Sequence, residues 1–393
     1  MNSSPLHDAP STPWVLVAGG IHRAGAMDKA NAALASYLCE RNVPLHLVAH
    51  GVEPALAANP AVTLHHVPKP LGSFLIGQRG LNIRGRAIAR DVTERFPRAR
   101  VVVNGGNCEW PDINWVHCLH RSWQPADRGA PLWFKIKNRF EKSRARRDEF
   151  RALRKARCVV TNSERTRRDL VERLGLPRES VHTVYLGADS DWKSVSHRRE
   201  AIRAWLGEPV GRPLVAFVGA LGYDSNKGFD TLWTAWQTLC ARGDWDANLI
   251  VAGGGRAVPG LRKTVDQAGM GRRVRFLGFT DRISDVLAAS DLLVSPVRYE
   301  SYGLTVQEAL CCGVPAIVSA SAGIAERYPA EIRDLLLPDP EDTSDLTARM
   351  LSWRSNLNGA KERIEPIARM LRGHTWDDMA RQIVELVEPK APT

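Results

Sequence analysis

The sequence predicts an α/β protein built as two Rossmann-like domains, on three observations. At 393 residues the chain is long for a single hydrophobic core. Short apolar runs alternate with helical patterns twice over, once from Trp14 and again from Leu214, as parallel sheets with crossover helices require. In each half the first run opens into a glycine-bearing loop, Gly19-Gly20 and then Gly219 to Gly228.

Taken in order, Trp14 to Ala18 reads as a strand and Ala26 to Arg41 as a helix. Its apolar stripe runs through Ala30, Ala33, Leu34, Tyr37 and Leu38. The glycines between them, Gly25 included, allow close backbone approach to a ligand, but the spacing is not that of a dinucleotide fingerprint. Pro44 to Ala49, Val62 to Val67 and Arg100 to Val103 are further strands, and Gln78 to Phe96 is a helix. Ile113 to Val116 is a strand that delivers His117 at its carboxyl end, where open α/β sheets bind ligands; His120 is the second candidate there. Pro131 to Arg157 is helix-prone and strongly basic, with eleven Lys and Arg against Glu141, Asp148 and Glu149. Two readings stay open for it: a contact for an anionic membrane surface or lipid-linked acceptor, and a solvated helix face. Cys158 to Asn162 is a strand, Ser163 caps the helix Glu164 to Leu174, and Gly175 ends it. Val181 to Tyr185 is a strand leading to Leu186-Gly187-Ala188-Asp189, and residues 190–212 read as a polar connector.

The second half has strands at Leu214 to Val218, Asn248 to Ala252, Val274 to Leu277, Asp291 to Val294 and Ala316 to Ser319. Lys227 stands at the mouth of the glycine loop, before the helix Phe229 to Ala241, where an ammonium can neutralise a diphosphate. Gly253-Gly254-Gly255 is not a P-loop, since no Gly-Lys-Ser/Thr follows. Thr375-Trp376 to Val387 is an amphipathic helix.

The most informative stretch is Ser295 to Leu310. Gly303 opens a helix that Gly313-Val314-Pro315 stops, so the backbone amides of Gly303, Leu304 and Thr305 form a seat for an anion. Glu308 lies roughly 7 Å further along that helix, and Glu300 on the loop before it. Two carboxylates beside a phosphate need a reason. A sugar nucleotide supplies one, because a carboxylate clamps a vicinal diol. Glu308 then takes the ribose and Glu300 the donor sugar.

Glu300-x7-Glu308, with its bracketing Ser-Pro and Glu-Ala-Leu-x-x-Gly-Val-Pro run, resembles the E-x7-E signature of retaining glycosyltransferases of family four. The resemblance implies the GT-B fold: two Rossmann-like domains facing a cleft, with a C-terminal helix crossing back to the first. Expected limits are 14–190 for the acceptor-side domain, 191–374 for the nucleotide-sugar domain and 375–393 for the crossing helix and tail. The resemblance also places Gly25 at the donor phosphate, His117 beside the donor sugar, Lys227 on the diphosphate, and Leu277 to Asp281 along the nucleotide base. It implies a metal-independent, hexosyltransferase-type enzyme with no cofactor beyond its nucleotide-diphosphate sugar, acting in cell-envelope polysaccharide or glycolipid synthesis. Many members carry an arginine where this chain has Ala220, and Arg298 or Arg23 are candidates to replace its charge. Two alternatives remain: a nucleotide-sugar epimerase of the same fold, and a non-catalytic subunit that keeps the fold.

The net charge of +11 suits anionic substrates or an anionic surface; no nucleic-acid module is recognisable. The seven cysteines show no zinc spacing and read as free thiols in a reducing compartment. Residues 1–13 are polar and read as a disordered leader without a signal core, and no run approaches the ~20 apolar residues of a span. A cytoplasmic protein follows as the expectation, with a peripheral position at the inner membrane face as one option.

Overall fold

A computed structural model describes residues 12–70, 74–124, 129–190, 192, 197–209 and 211–388; the side chains of residues 74 and 75 and most of the leader fall outside that set. Runs such as Trp14-Val-Leu-Val and Leu292-Leu-Val-Ser lack polar alternation because both their faces are covered. The first sheet uses β1 (Trp14–Val17), β3 (Leu45–Ala49), β5 (Val62–His66), β6 (Arg100–Asn104), β7 (Ile113–Val116), β8 (Cys158–Thr161) and β9 (Val181–Thr183). Two-residue strands β2 (Gly20–Ile21) and β4 (Gly51–Val52) pair beyond it. The second sheet uses β10 (Leu214–Val218), β11 (Asn248–Ala252), β12 (Val274–Gly278), β13 (Leu292–Ser295), β14 (Ala316–Ser319) and β15 (Leu336–Leu337).

All these pairings are parallel, in the orders β5-β3-β1-β6-β7-β8-β9 and β12-β11-β10-β13-β14-β15. Each order reverses beside its first strand, between β1 and β6 and between β10 and β13. A crevice opens at the carboxyl ends of such strands. The loops after β1, β10 and β13 therefore all face it.

Glycine sets several close approaches. The helix Phe74–Arg95 starts four residues before the expected Gln78, running through Gly77, Gly80 and Gly85. Those glycines disfavour helix by propensity, but a Cβ on Gly85 would stand 2.8 Å from Val17 Cγ1, so the helix needs it to lie against β1.

The expected polar connector holds a helix, Arg199–Leu206, with Ile202, Arg203 and Leu206 buried. Its charges are grips rather than solvated groups. Arg199 and Arg203 each reach Asp291 at 2.6 Å, and Lys361 joins at 3.1 Å, just before β13 begins.

The terminal helix Trp376–Val387 opens with a capping box between Thr375 and Asp378. It packs Met379, Ala380, Ile383 and Val387 inward and lies on the first-domain helix Ala26–Glu40. Ala188 bridges Thr375 in parallel, and its amide donates to His374 O at 2.8 Å. A Cβ on Gly187 would collide with the Trp376 backbone. Gly187→Ala should therefore cost roughly 2–3 kcal/mol, read as a lower urea midpoint at unchanged slope. An unchanged midpoint would mean that this crossing is loosely packed.

Candidate active site

Gly303 sits at the N-cap of the helix Leu304–Cys311 with φ +113°, which an L side chain rarely adopts. A Cβ built on it would also stand only 2.9 Å from Ile324 Cγ2. The amides of Gly303, Leu304 and Thr305 find no acceptor among the described residues, as the first turn of a helix leaves them.

The loop before this helix docks on the other domain. Ser301 Oγ donates to His117 O, and Ser163 Oγ donates to Ser301 O at 2.6 Å. The Leu119 amide donates to Tyr299 Oη at 2.8 Å. Nearby, Glu326 accepts from the amides of Glu164 (2.8 Å) and Arg165 (3.0 Å), so a second-domain carboxylate caps a first-domain helix. Within its own domain the loop is clamped by Asn226, which donates to Tyr299 O at 3.0 Å and accepts from Tyr299 N at 3.1 Å.

Each signature glutamate is paired with a lysine. Glu300 Oε2 lies 2.5 Å from Lys227 Nζ. Burial alone would lower the Lys227 ammonium, but the Glu300 charge outweighs it and holds it above its ordinary value. Glu308 Oε1 lies 3.3 Å from Nζ of Lys29, a residue of the opposite domain. The same ammonium reaches Asp189 Oδ2 at 2.5 Å, and Asp189 Oδ1 accepts from Trp376 Nε1 at 2.7 Å. Burial raises the Glu308 carboxyl above its ordinary value, against the pull of Lys29. Lys29 is itself held high, since Glu308 and Asp189 outweigh its burial.

His117 stands where β7 ends, 8% exposed, its ring 4.4 Å from that of Trp115. Both ring nitrogens are buried without a hydrogen-bond partner, and burial drives its pKa down to about 3. His120 instead pairs with the buried Glu149 at 2.9 Å. Gly25, φ +89°, is the exposed N-cap of the helix that carries Lys29 and touches none of the other predicted residues. Arg298 is committed to Asp230 (2.8 Å) and Glu341 (3.1 Å), and Arg23 to Glu53 (3.4 Å). Neither restores the charge missing at Ala220.

The structure thus brings Glu300, Lys227, Gly303, Leu304 and Thr305 together, sets the His117 backbone against the same loop, and places Glu308 one step deeper. Lys29 and Asp189 escaped the sequence reading. Lys29 looks like the solvated face of an alanine-rich helix, and its partners lie 160 and 279 residues away. The only sequence signal was its place one turn after Gly25.

Comparison with known proteins bears on this geometry. The family profile for glycosyltransferase family 4 matches residues 30–192, and that for glycosyl transferases group 1 matches residues 212–356. An alpha-D-kanosaminyltransferase of Streptomyces kanamyceticus is 30% identical over 246 residues, 57% of this chain and 61% of that protein. Across the curated relatives it matches, the chain spans about half of their length, from 36% to 61%. Among solved structures, WaaG, a glycosyltransferase involved in lipopolysaccharide biosynthesis, superposes with a TM-score of 0.73 at 17% identity, covering 95% of this chain and 99% of that one. Anabaena Alr3699/HepE, solved with UDP and glucose, gives 0.69 at 15% identity, covering 96% and 99%. Identities this low speak for the fold, which is GT-B.

The depressed His117 pKa has a consequence for stability. The unfolded chain takes up this proton near pH 6.5, while the folded chain takes it up only near pH 3. The unfolded state therefore binds more protons between these values, and stability falls as pH drops through that window. His117→Phe should flatten the acid limb of stability against pH by up to about 1.4 kcal/mol per pH unit. Parallel limbs in the two proteins would show that the ring titrates normally.

Proposed function

We propose that this chain, which belongs to the glycosyltransferases of family 4 and group 1, transfers a hexosyl group from a nucleotide-diphosphate sugar to a hydroxyl, with retention at the anomeric carbon. The observation that carries the reading is that Lys227, on the loop after β10, meets Glu300 beside the open amides of Gly303 to Thr305, on the loop and helix after β13, at the carboxyl edge of the second sheet. A diphosphate seated there has its developing charge met by an ammonium and a helix N-terminus. No metal is needed in this scheme. Glu300, at 2.5 Å from Lys227, is placed to orient the donor sugar beside the diphosphate, and Glu308 holds the ribose. Neutral His117 offers a hydrogen-bonding edge at the transferring sugar without adding positive charge.

The acceptor side points to an envelope glycan or glycolipid. WaaG, which shares the fold, acts in lipopolysaccharide biosynthesis. The helix Leu132–Lys155 supports a peripheral position at an anionic membrane. Its second half packs Ala145, Glu149, Ala152 and Leu153 inward, whereas Leu132, Trp133, Ile136 and Phe140 are 53–72% exposed among Lys135, Lys137 and Arg139. Among the described residues no helix is long and apolar enough to cross a membrane.

Three measurements test this reading. UDP, GDP or ADP at a hundred times its dissociation constant should stabilise the chain by about 2.7 kcal/mol in thermal unfolding. No response to any of them would remove the nucleotide seat. His117→Ala should lower turnover roughly a hundredfold while nucleotide affinity stays within about twofold; normal turnover sinks its role. Ile136→Ser with Phe140→Ser should reduce co-sedimentation with phosphatidylglycerol vesicles by more than about tenfold. Equal binding by that double variant would leave the helix as a solvated face.

A further inference from the structure

Among the described residues, Lys29 is a cation between the two domains to which the donor scheme gives no task. It rises from the helix Ala26–Glu40 of the first domain and meets Glu308 of the second at 3.3 Å. The contact is built rather than incidental. Asp189 holds the ammonium at 2.5 Å, and Trp376 of the crossing helix holds Asp189 in turn at 2.7 Å. The Lys29 ammonium also lies 5.5 Å from the centroid of the Trp376 ring. Four separate segments therefore converge to fix one Nζ beside one carboxylate. The side chains stay partly open, 18% exposed for Lys29 and 14% for Glu308.

An ammonium has three N–H bonds, and Asp189 and Glu308 accept two of them. The third has no acceptor among the described residues, and neither does Glu308 Oε2 have a donor. A fixed donor and a fixed acceptor therefore stand side by side in one seat. A lone hydroxyl satisfies only one of them well. A vicinal diol satisfies both, with one hydroxyl donating to Glu308 Oε2 and its neighbour accepting from Lys29 Nζ.

We propose that Lys29 is a donor-specificity residue, which reads the ribose 2′,3′-diol of the nucleotide jointly with Glu308 and so makes the enzyme select ribonucleotide over deoxyribonucleotide donors. The inference rests on Glu308 being the ribose carboxylate and deepens that reading. It explains why a first-domain cation is built into a second-domain nucleotide seat. A helix-to-helix tether alone would not need the free N–H, nor a carboxylate oxygen left open beside it.

The experiment titrates full-length protein with whichever of UDP, GDP and ADP stabilises it, and then with the 2′-deoxy and 3′-deoxy forms of that nucleotide. Wild type should lose roughly ten- to a hundredfold in affinity on removal of either hydroxyl, as hydrogen bonds to charged groups are worth. Lys29→Met should bind the ribonucleotide more weakly and bind one of the two deoxy forms no worse than that. Lys29→Arg should restore the preference. Equal weakening of all three ligands in Lys29→Met would show a structural tether and overturn the proposal, as would a wild type that binds the deoxy forms equally well. If Lys29→Met fails to fold, Asp189→Asn takes its place: it leaves the ammonium but releases it, and the proposal requires a reduced ribo-to-deoxy ratio from it. Unchanged affinity in Glu308→Ala would overturn the ribose seat itself, a failure separable from that of Lys29.

Discussion

A carboxylate that stands beside a diphosphate is repelled by it, and the proposed diphosphate seat carries two on one loop and helix, Glu300 and Glu308. Two unit charges 4 Å apart interact by about 4 kcal/mol at the effective dielectric of a protein surface. Neither glutamate is tolerable there without a cation, and each has one. Lys227 neutralises Glu300 from within the same domain, and Lys29 neutralises Glu308 from the other. The second pair gives Glu308 a counter-ion that only contact between the domains supplies. In this closed arrangement burial raises the Glu308 carboxyl and Lys29 pulls it back down, so parting the domains removes both influences together.

Several other contacts of the loop share this dependence on both domains. Backbone atoms carry much of it: His117 O accepts from Ser301, Ser301 O accepts from Ser163, and the Leu119 amide donates to Tyr299. Such bonds are indifferent to side-chain identity at one end, so they set the geometry of the loop without marking the sequence. Their effect is to hold the loop that carries Glu300 against the strand end that carries His117. Glu326 adds a charged cap at the helix Glu164–Leu174, and with it the first-domain helix depends on a second-domain side chain.

The legible parts of the sequence were those whose cause is local. Strands buried on both faces show as unbroken apolar runs, so β1, β6, β7, β8, β10, β11, β13 and β14 were readable to within a residue or so. Ser163 and Gly175 mark their helix because caps are local chemistry, and the structure confirms both. Glu300, Gly303 and Glu308 stood out as a pattern because they share one loop and one helix, and Lys227 because it ends a glycine loop. The connector helix Arg199–Leu206 was not, because its arginines look solvated until Asp291 is found between them. Phe74–Arg95 was placed late because glycines needed for packing on β1 look like helix breakers. Lys29 and Asp189 were invisible because their meaning lies in contacts across domains.

The loop after β10, which carries Ala220 where the resemblance implies an arginine, also spans the two domains. That loop runs long, from Gly219 to Gly228, and carries Tyr223, whose ring meets Phe134 of the first domain edge-on at 5.4 Å. Beside it the Arg256 guanidinium lies 5.8 Å from the ring of Trp133. Both contacts fall on the first turn of the basic helix, next to its exposed apolar residues. The loop thus reaches across the cleft to the first-domain helix and ends at Lys227, which meets Glu300. Anything that displaces the first turn of that helix then acts on the same loop that positions Lys227.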